Sequence, residues 1–401
     1  MKKNLIDIAI IGGGASGLCA AIQAKRKNKN LSVTIFEHLN RIGKKILVTG
    51  NGRCNLTNLD AENHAYRNKN FCDKIFEKFG VNYTLDFFKS LGLYTIADSE
   101  KRVYPRSNTA SSVLDCLRFE AEKLGVEIIC NTHIETIEKT NGIFLLNKTF
   151  LSRKVILATG GKSAKVHGSD GSGYQILKSF GLNVIRPEPS LVPLKTEGNI
   201  PKQLKGIRAQ VTLSLFEKQK NIFNVNGEIL FADYGISGIA AMETGSYISD
   251  SKRYTLLVDF LPDFSYENLE KIISQSNAST TENCLIGLLP KKLGQIICKQ
   301  SSPDCLLKNP SSLDKKNVEK IVKNIKEFSF MISGTRGFEN AQVTRGGADV
   351  SEFKNTLESK KITGLYCVGE LLDVDGGCGG FNLQWAWSSG LAAGHYASEV
   401  K

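Results

Sequence analysis

Gly12-Gly13-Gly14-Ala15-Ser16-Gly17 has the G-x-G-x-x-G spacing that cradles a pyrophosphate, and Glu37 stands twenty residues after its last glycine. Gly12 permits a tight turn, Gly14 lets the backbone approach the ligand, and Gly17 allows a helix to pack closely on a strand. The helix opening at Ala15 and Ser16 offers free N–H groups and the positive end of its dipole to phosphates. Glu37 would accept hydrogen bonds from a ribose diol and repel a 2′-phosphate, which argues for FAD or NAD over NADP. A second polar stretch, residues 41–58, holds Lys45, Asn51, Arg53, Cys54 and Asn55 among glycines and asparagines. Its composition predicts a loop against a ligand instead of a regular helix or strand, with Lys45 and Arg53 available for phosphates. Two more small-residue segments complete the set. One is Ala158-Thr159-Gly160-Gly161; the other begins at Gly369-Glu370 and runs through Asp375-Gly376-Gly377-Cys378-Gly379-Gly380 to Phe381-Asn382.

Each segment needs an element to hold it. The β-branched run 6–11 predicts a buried parallel strand, 18–25 a helix and 32–36 a second strand ending on Glu37. Residues 154–157 read as a buried strand that delivers 158–161 beside the adenylate half of a flavin dinucleotide. Strand 364–370 ends on the Gly-acid pair, and a helix from 381 to about 393 points its N-terminus at the flavin. Reduction places negative charge near the N1–C2 carbonyl edge, which a helix dipole stabilises. Elsewhere the pattern predicts helices over 71–91 and 109–124, then strands over 126–130 and 142–146. From about Pro187 the character changes. Residues 209–216 alternate as a strand, 221–231 read as a hairpin turning at Asn226-Gly227, and 254–259 as a further strand. Helices follow at 266–274, 284–289, 293–299 and 313–328. Of Trp385 and Trp387, one is expected in the core and the other over a neighbouring element. The fold class is α/β: a Rossmann-like FAD-binding domain of the two-dinucleotide-fold flavoprotein type, from 1–187 and 341–401. An inserted domain, 188–340, is barrel-like at 188–262 and 328–340 and helical at 263–327, and is expected to cap the flavin.

Composition narrows the class. An apolar fraction of 41% and a charged fraction of 23% are those of a soluble globular protein. The formal charge of +12 fits either a polyanionic partner or a lysine-rich solvated surface. None of the ten cysteines forms a C-x-x-C, which speaks against zinc fingers and dithiol redox motifs and for reducing surroundings. His64, His133 and His167 lack metal-ligand spacing, and no metal is expected. Lys2-Lys3 precede an apolar run, but Asp7 and the glycines interrupt it where an export signal would continue. No stretch is long and apolar enough to span a bilayer, and a cytoplasmic, membrane-free protein is expected.

Four blocks together resemble the BaiN/RdsA-like NAD(P)/FAD-dependent oxidoreductases: GGGASG at 12–17, GNGRCNLTN at 50–58, ATGG at 158–161 and GELLDVDGGCGGFNLQWAWSSG at 369–390. The resemblance covers nearly the whole chain. It departs around 227–240, where many members carry Thr-His in place of Ala232-Asp233 and Pro where Ile239 stands. It implies non-covalent FAD, reduced by NADH or NADPH, with hydride passed to an electron-poor C=C conjugated to a carbonyl. No second fingerprint follows a strand, so the nicotinamide would visit transiently. The acceptors the family implies are a uridine of large-subunit ribosomal RNA, giving dihydrouridine, and a bile-acid enone; an amine or ketone oxidase is a third reading. Each reduction needs one proton as well as the hydride. Cys54 and Cys378 are candidate donors because a thiol can donate near neutral pH. Asp375 and Asp233 are alternatives, with Asp375 also a candidate for ribityl hydroxyls. Arg345 would polarise a carbonyl, hold a phosphate or make a structural ion pair. For ribosomal RNA the expected surface is a basic inserted domain, with Lys315, Lys316, Lys320, Lys323 and Lys326 on one helix; otherwise the acceptor is a small molecule.

Overall fold

The computed structural model describes residues 5–249 and 252–399, so Lys2-Lys3 lie outside the described residues. The chain divides into two compact units, Met1–Pro189 with Gln342–Lys401, and Ser190–Ala341.

The first unit is built on strand Leu5–Ile11. Parallel to it lie Val33–Phe36 on one side and Phe150–Leu157 on the other, with Glu127–Ile129 beyond Val33–Phe36. The long strand Phe150–Leu157 has a divided outer edge. Its first half pairs antiparallel with Ile143–Leu146, which closes a hairpin with Ile137–Thr140, and its second half pairs parallel with Leu365–Cys367. Ile11 lies opposite both Phe36 and Leu157, and Leu157 lies opposite Cys367. Four strands therefore end on one rung, and the fingerprint, Glu37, the Ala-Thr-Gly-Gly turn and Gly369-Glu370 all emerge at the same sheet edge. In open parallel sheets that edge is where ligands bind.

Two helices dominate the packing. Ala15–Lys27 follows the fingerprint, and Phe381–Ala397 is buried on nearly all sides. A Cβ added at Gly390 would stand 2.3 Å from Ser16 O, and one at Gly394 would stand 2.3 Å from Ala20 O. The helices therefore run in the same direction, backbone against backbone. Both tryptophans are core residues, contrary to the expectation that one would cover a neighbouring element. Trp385 Nε1 donates to Gly369 O (3.0 Å) and Trp387 Nε1 to Leu56 O (2.8 Å), so neither needs solvent.

Residues 71–91 form two helices instead of one, Lys69–Phe79 and Val81–Ser90. Gly80 between them is extended, and Glu62 Oε1 accepts the Val81 N–H at 2.8 Å, which caps the second helix from outside it.

The second unit holds a closed antiparallel barrel. Its strand order is Leu194–Thr196, Gly235–Ser237, Lys220–Ala232, Arg208–Glu217, Tyr254–Asp259 and Phe328–Thr335. The expected hairpin at Asn226-Gly227 is absent: strand Lys220–Ala232 runs straight through it. Asn226 instead sits opposite Thr212, which donates its hydroxyl to Asn226 Oδ1, and the chain turns earlier, at Lys218-Gln219. Cross-strand pairing along the whole length outweighs the local turn signal. Helices Tyr266–Ser274, Thr281–Ile286, Lys291–Ser301 and Lys315–Lys326 form the rest of the core. Lys326 is half-buried and bonded to Asp259 (2.6 Å), Leu261 O and Phe264 O, so it belongs to no solvent-facing lysine stripe. Charge is distributed against the expectation of a basic insertion. This unit has 19 Lys and Arg against 16 Asp and Glu, while the first has 33 against 24. Among the described residues no helix is long and apolar enough to cross a membrane.

Because Gly390 leaves no space for a side chain, Gly390→Ala is expected to destabilise the protein by about 1–3 kcal/mol in denaturant unfolding. Gly287→Ala, where an added Cβ meets nothing within 4 Å, is the matched control and should change stability little.

Candidate active site

The phosphate end is shaped by what the glycines touch. Gly12 has φ +106° and an added Cβ would fall 2.4 Å from Ala158 O; at Gly17 it would fall 2.0 Å from Gly12 O. Those two glycines close strand, turn and helix on one another. Gly14 differs: an added Cβ meets nothing within 4 Å, so its exposed side is open for a ligand. Helix Ala15–Lys27 starts there with no side-chain cap and no acid in its first turn. Ser16 is buried beside Gly369, where an added Cβ would lie 2.8 Å from Ser16 Oγ. Glu37 is buried at the tip of its strand, and its two oxygens accept the N–H groups of Gly13 and Leu39, each at 2.9 Å. Its carboxylate thus fixes the fingerprint turn, a structural duty in addition to the ribose role expected of it.

Behind the turn lies a polar knot. Lys45 Nζ bonds Glu370 Oε2 at 2.6 Å and Ser163 O at 3.2 Å, and Glu370 Oε1 accepts the Thr344 N–H at 2.9 Å. Thr344 Oγ1 in turn accepts the N–H groups of Lys162 and Ser163. Gly161 is clamped between Thr344 and Glu370, Gly160 (φ +73°) lies against Ser169, and Thr159 lies against Gly173. Lys45 is therefore tied to a carboxylate, a structural partner that the sequence expectation of a phosphate contact did not include. The stretch that carries it is also more regular than expected: Lys44–Val48 forms a short helix and Thr49–Gly52 a 3₁₀ turn, because Ile46 has a core position to fill. Asn51 is exposed with φ +55°, and Arg53 bonds Gly50 O and lies over the Tyr104 ring at 4.9 Å.

Of the two candidate thiols, Cys54 is fully enclosed in the core, and burial pushes it up to about 12. Its side-chain partner is Thr49, whose hydrogen bond offsets only part of that rise, and a thiol so enclosed ionises reluctantly. Asn55 Oδ1 beside it is buried with no hydrogen-bond partner and lies 2.8 Å from where a Cβ at Gly380 would be.

The other end of the site is the loop before the C-terminal helix. Gly379 and Gly380 both have positive φ, and Phe381 opens the helix with no side-chain cap and no first-turn acid. Asn382 turns back on the loop: Oδ1 accepts the Gly376 N–H, and Nδ2 donates to Gly376 O and Gly377 O. His64 stacks on Phe381 at 3.7 Å with planes 7° apart, and its Nε2 accepts the Gly377 N–H at 2.9 Å. Tyr66 OH donates to Phe381 O at 2.9 Å, and Arg67 Nε to Asp375 Oδ1 at 2.9 Å. Cys378 is partly exposed in this loop. Gly369 N–H donates to Ser389 Oγ. Arg345 pairs with Glu188, the structural alternative weighed for it.

The two uncapped helix starts are related by the glycine contact. Gly390 meets Ser16, so the C-terminal helix reaches past the fingerprint helix by about eight residues, roughly 12 Å along the axis. Two positive helix ends point toward one sheet edge, staggered along it.

A family model described as the HI0933-like protein Rossmann domain matches residues 6–396. The chain belongs to this HI0933-like family. A 3-dehydro-bile acid delta(4,6)-reductase of Clostridium scindens is 38% identical, over 98% of this chain and 99% of the relative. A ribosomal RNA dihydrouridine synthase of Haemophilus influenzae is 34% identical over 96% of each chain. Among solved structures, a 3-ketosteroid-delta4-(5alpha)-dehydrogenase from Rhodococcus jostii shares the fold, at 16% identity, with TM-score 0.50, over 100% of this chain and 98% of that one. The HI0933-like chain is an oxidoreductase with a Rossmann-type fold.

In this HI0933-like fold the fingerprint, Glu37, residues 158–161 and Gly369-Glu370 meet at one edge. Asp233 instead lies in the barrel unit, paired with Lys205 at 2.7 Å. Sequence reasoning weighed His64 only as a metal ligand and gave no role to Tyr66, Arg67 or Thr344. No motif surrounds them, and only the succession His64-Ala65-Tyr66-Arg67, five residues beyond the GNGRCNLTN block, could have drawn attention.

Burial, and then Lys69, lower His64 to about 4 from the ordinary 6.5. Because the native value is depressed, the unfolded chain takes up the proton first; stability is full above about pH 6.5 and falls as pH drops to about 4. The imidazole should titrate near pH 4 by NMR, with the stability difference from His64→Phe shrinking across that window. A midpoint near 6.5 would contradict the burial argument.

Proposed function

We propose that the chain is a flavoprotein reductase that holds FAD non-covalently along the two staggered helix ends. NADH or NADPH is its transient reductant, and its acceptor carries an electron-poor C=C conjugated to a carbonyl. The observation that carries this reading is the pair of uncapped, acid-free helix N-termini, parallel and roughly 12 Å apart along the axis. The residues present fit the cofactor. The open side of Gly14 admits a pyrophosphate, Glu37 at its strand tip faces a ribose, and the unpartnered Asn55 Oδ1 offers an acceptor beside Gly380. When bound, FAD supplies hydride transfer. The C-terminal helix start then places N–H donors and a positive dipole end where negative charge develops on the ring.

Around that end the chain supplies order and one proton. His64, Asn382 and Arg67 fix residues 375–377 from three sides, so Gly379-Gly380 present a fixed backbone. Because Cys54 is enclosed in the core and Cys378 is partly exposed, we assign Cys378 the protonation of the carbon next to the acceptor's carbonyl. Asp375, held by Arg67, serves the loop.

For the acceptor we favour a uridine of large-subunit ribosomal RNA. Two curated relatives bear that activity, and the positive excess belongs mainly to the unit that carries the fingerprint. The second reading, a steroid-like enone, draws support from the 38% identical bile-acid reductase. Both need the same hydride and proton, so the site chemistry does not choose between them.

Nucleoside mass spectrometry of large-subunit rRNA from cells with and without the gene should show dihydrouridine lost in the deletion; unchanged dihydrouridine would favour the enone. In the purified protein, Cys378→Ala should slow reoxidation of the reduced flavin by acceptor about 10²-fold or more, the usual contribution of a general acid. Cys54→Ala should leave that rate near the unaltered value. Equal rates for both variants would remove the thiol from the mechanism.

A further inference from the structure

The small sheet of the first unit, made by Thr57–Asn58, Arg102–Pro105 and Thr95–Ala97, has two unlike faces. Val103 and Pro105 turn inward and are buried. The opposite face carries three cross-strand rows. Ile96 stands opposite Tyr104, and the flanking backbone bonds Arg106 N–H to Tyr94 O (2.8 Å) and Asp98 N–H to Arg102 O (2.9 Å) extend the same register. Tyr94 is 64% exposed and Ile96 51%. Arg53 lies over the Tyr104 ring, and Arg106 is exposed at the end of the strand. Arg102 is matched by Asp98 and Glu100, but among the described residues neither Arg53 nor Arg106 has a carboxylate within ion-pair distance.

The exposed Tyr94 ring, the arginine-covered Tyr104 ring and two guanidiniums with no carboxylate partner suit a ligand that offers flat π-faces and negative charge together. Unpaired bases on a phosphate backbone have both, and each base stacks on an aromatic ring irrespective of sequence. A bile acid has a single carboxylate and fused aliphatic rings, and so offers no succession of flat π-faces. Charge favours the same partner, since this unit has 33 basic residues against 24 acidic. The face is also firmly attached to the redox end. Thr57 Oγ1 donates to Gln384 Oε1 at 2.5 Å and Trp387 Nε1 to Leu56 O at 2.8 Å, which fastens strand Thr57–Asn58 to the C-terminal helix.

We propose that this Tyr94–Ile96–Tyr104–Arg106 face binds single-stranded RNA flanking the nucleotide to be reduced. The inference rests on the ribosomal RNA reading above and gives that reading a location. The test uses the full-length, FAD-loaded protein and a fluorescein-labelled oligouridylate. The unaltered protein should bind it with an affinity that falls steeply with salt. The triple variant Tyr94→Ala, Ile96→Ser, Arg106→Ser should bind about tenfold more weakly or worse, as loss of base–aromatic stacking implies. Its melting temperature and its NAD(P)H-driven reduction of a small quinone should stay unchanged. Unchanged RNA affinity in the variant overturns the face while leaving the RNA reading intact. No RNA binding by the unaltered protein overturns both together. A dimer in the unaltered protein that the variant breaks, with RNA affinity unchanged, assigns the face to a second copy of the chain and also overturns the proposal.

Discussion

Everything in the Rossmann-type unit depends on a contact with no side chain in it: the backbone of the C-terminal helix against the backbone of the fingerprint helix at Gly390 and Gly394. Van der Waals contact between two helix backbones fixes their separation, direction and axial offset at once. A larger residue at either glycine would drive the axes apart, and interiors this dense absorb such a change poorly. The stagger between the two helix starts is a consequence of that contact. So is the alignment of two dipoles toward one sheet edge.

From that contact the C-terminal helix reaches into several loops. Trp385 and Ser389 hold Gly369 from both its carbonyl and its N–H, Trp387 holds Leu56, and Gln384 holds Thr57. Gln384 is satisfied inside the core by Thr84 and Ser388 as well, so the network is complete and its geometry has little freedom. The helix therefore both brings its positive dipole end to the Gly379-Gly380 loop and frames the GNGRCNLTN segment.

Much of this was legible from residue order, for physical reasons that differ between elements. Strand Tyr254–Asp259 and helix Tyr266–Ser274 coincide with their predicted ranges because alternation and helical spacing are local properties. Asn226-Gly227 misled because a turn signal is local too, and an antiparallel partner along the full length of the strand overrides it. Gly80 split a helix for the opposite reason: its break is enforced by Glu62, eighteen residues earlier, which periodicity does not see. In the site, backbone-shaping residues such as Gly12, Gly14 and Gly17 stand out because spacing alone defines their task. Lys45 did not reveal its partner, since Glu370 is distant in sequence and near only in the fold. His64 carried no signal at all. Its stack on Phe381 exists only once two remote segments have met.

The account stands on one dinucleotide lying across both helix ends. Its most direct test is to denature the purified protein mildly and identify and count the flavin released. One FAD per chain, free of covalent attachment, is the predicted result. FMN in its place, or a chain that binds no flavin even when FAD is supplied, would leave the second helix end without its ligand and would contradict the account.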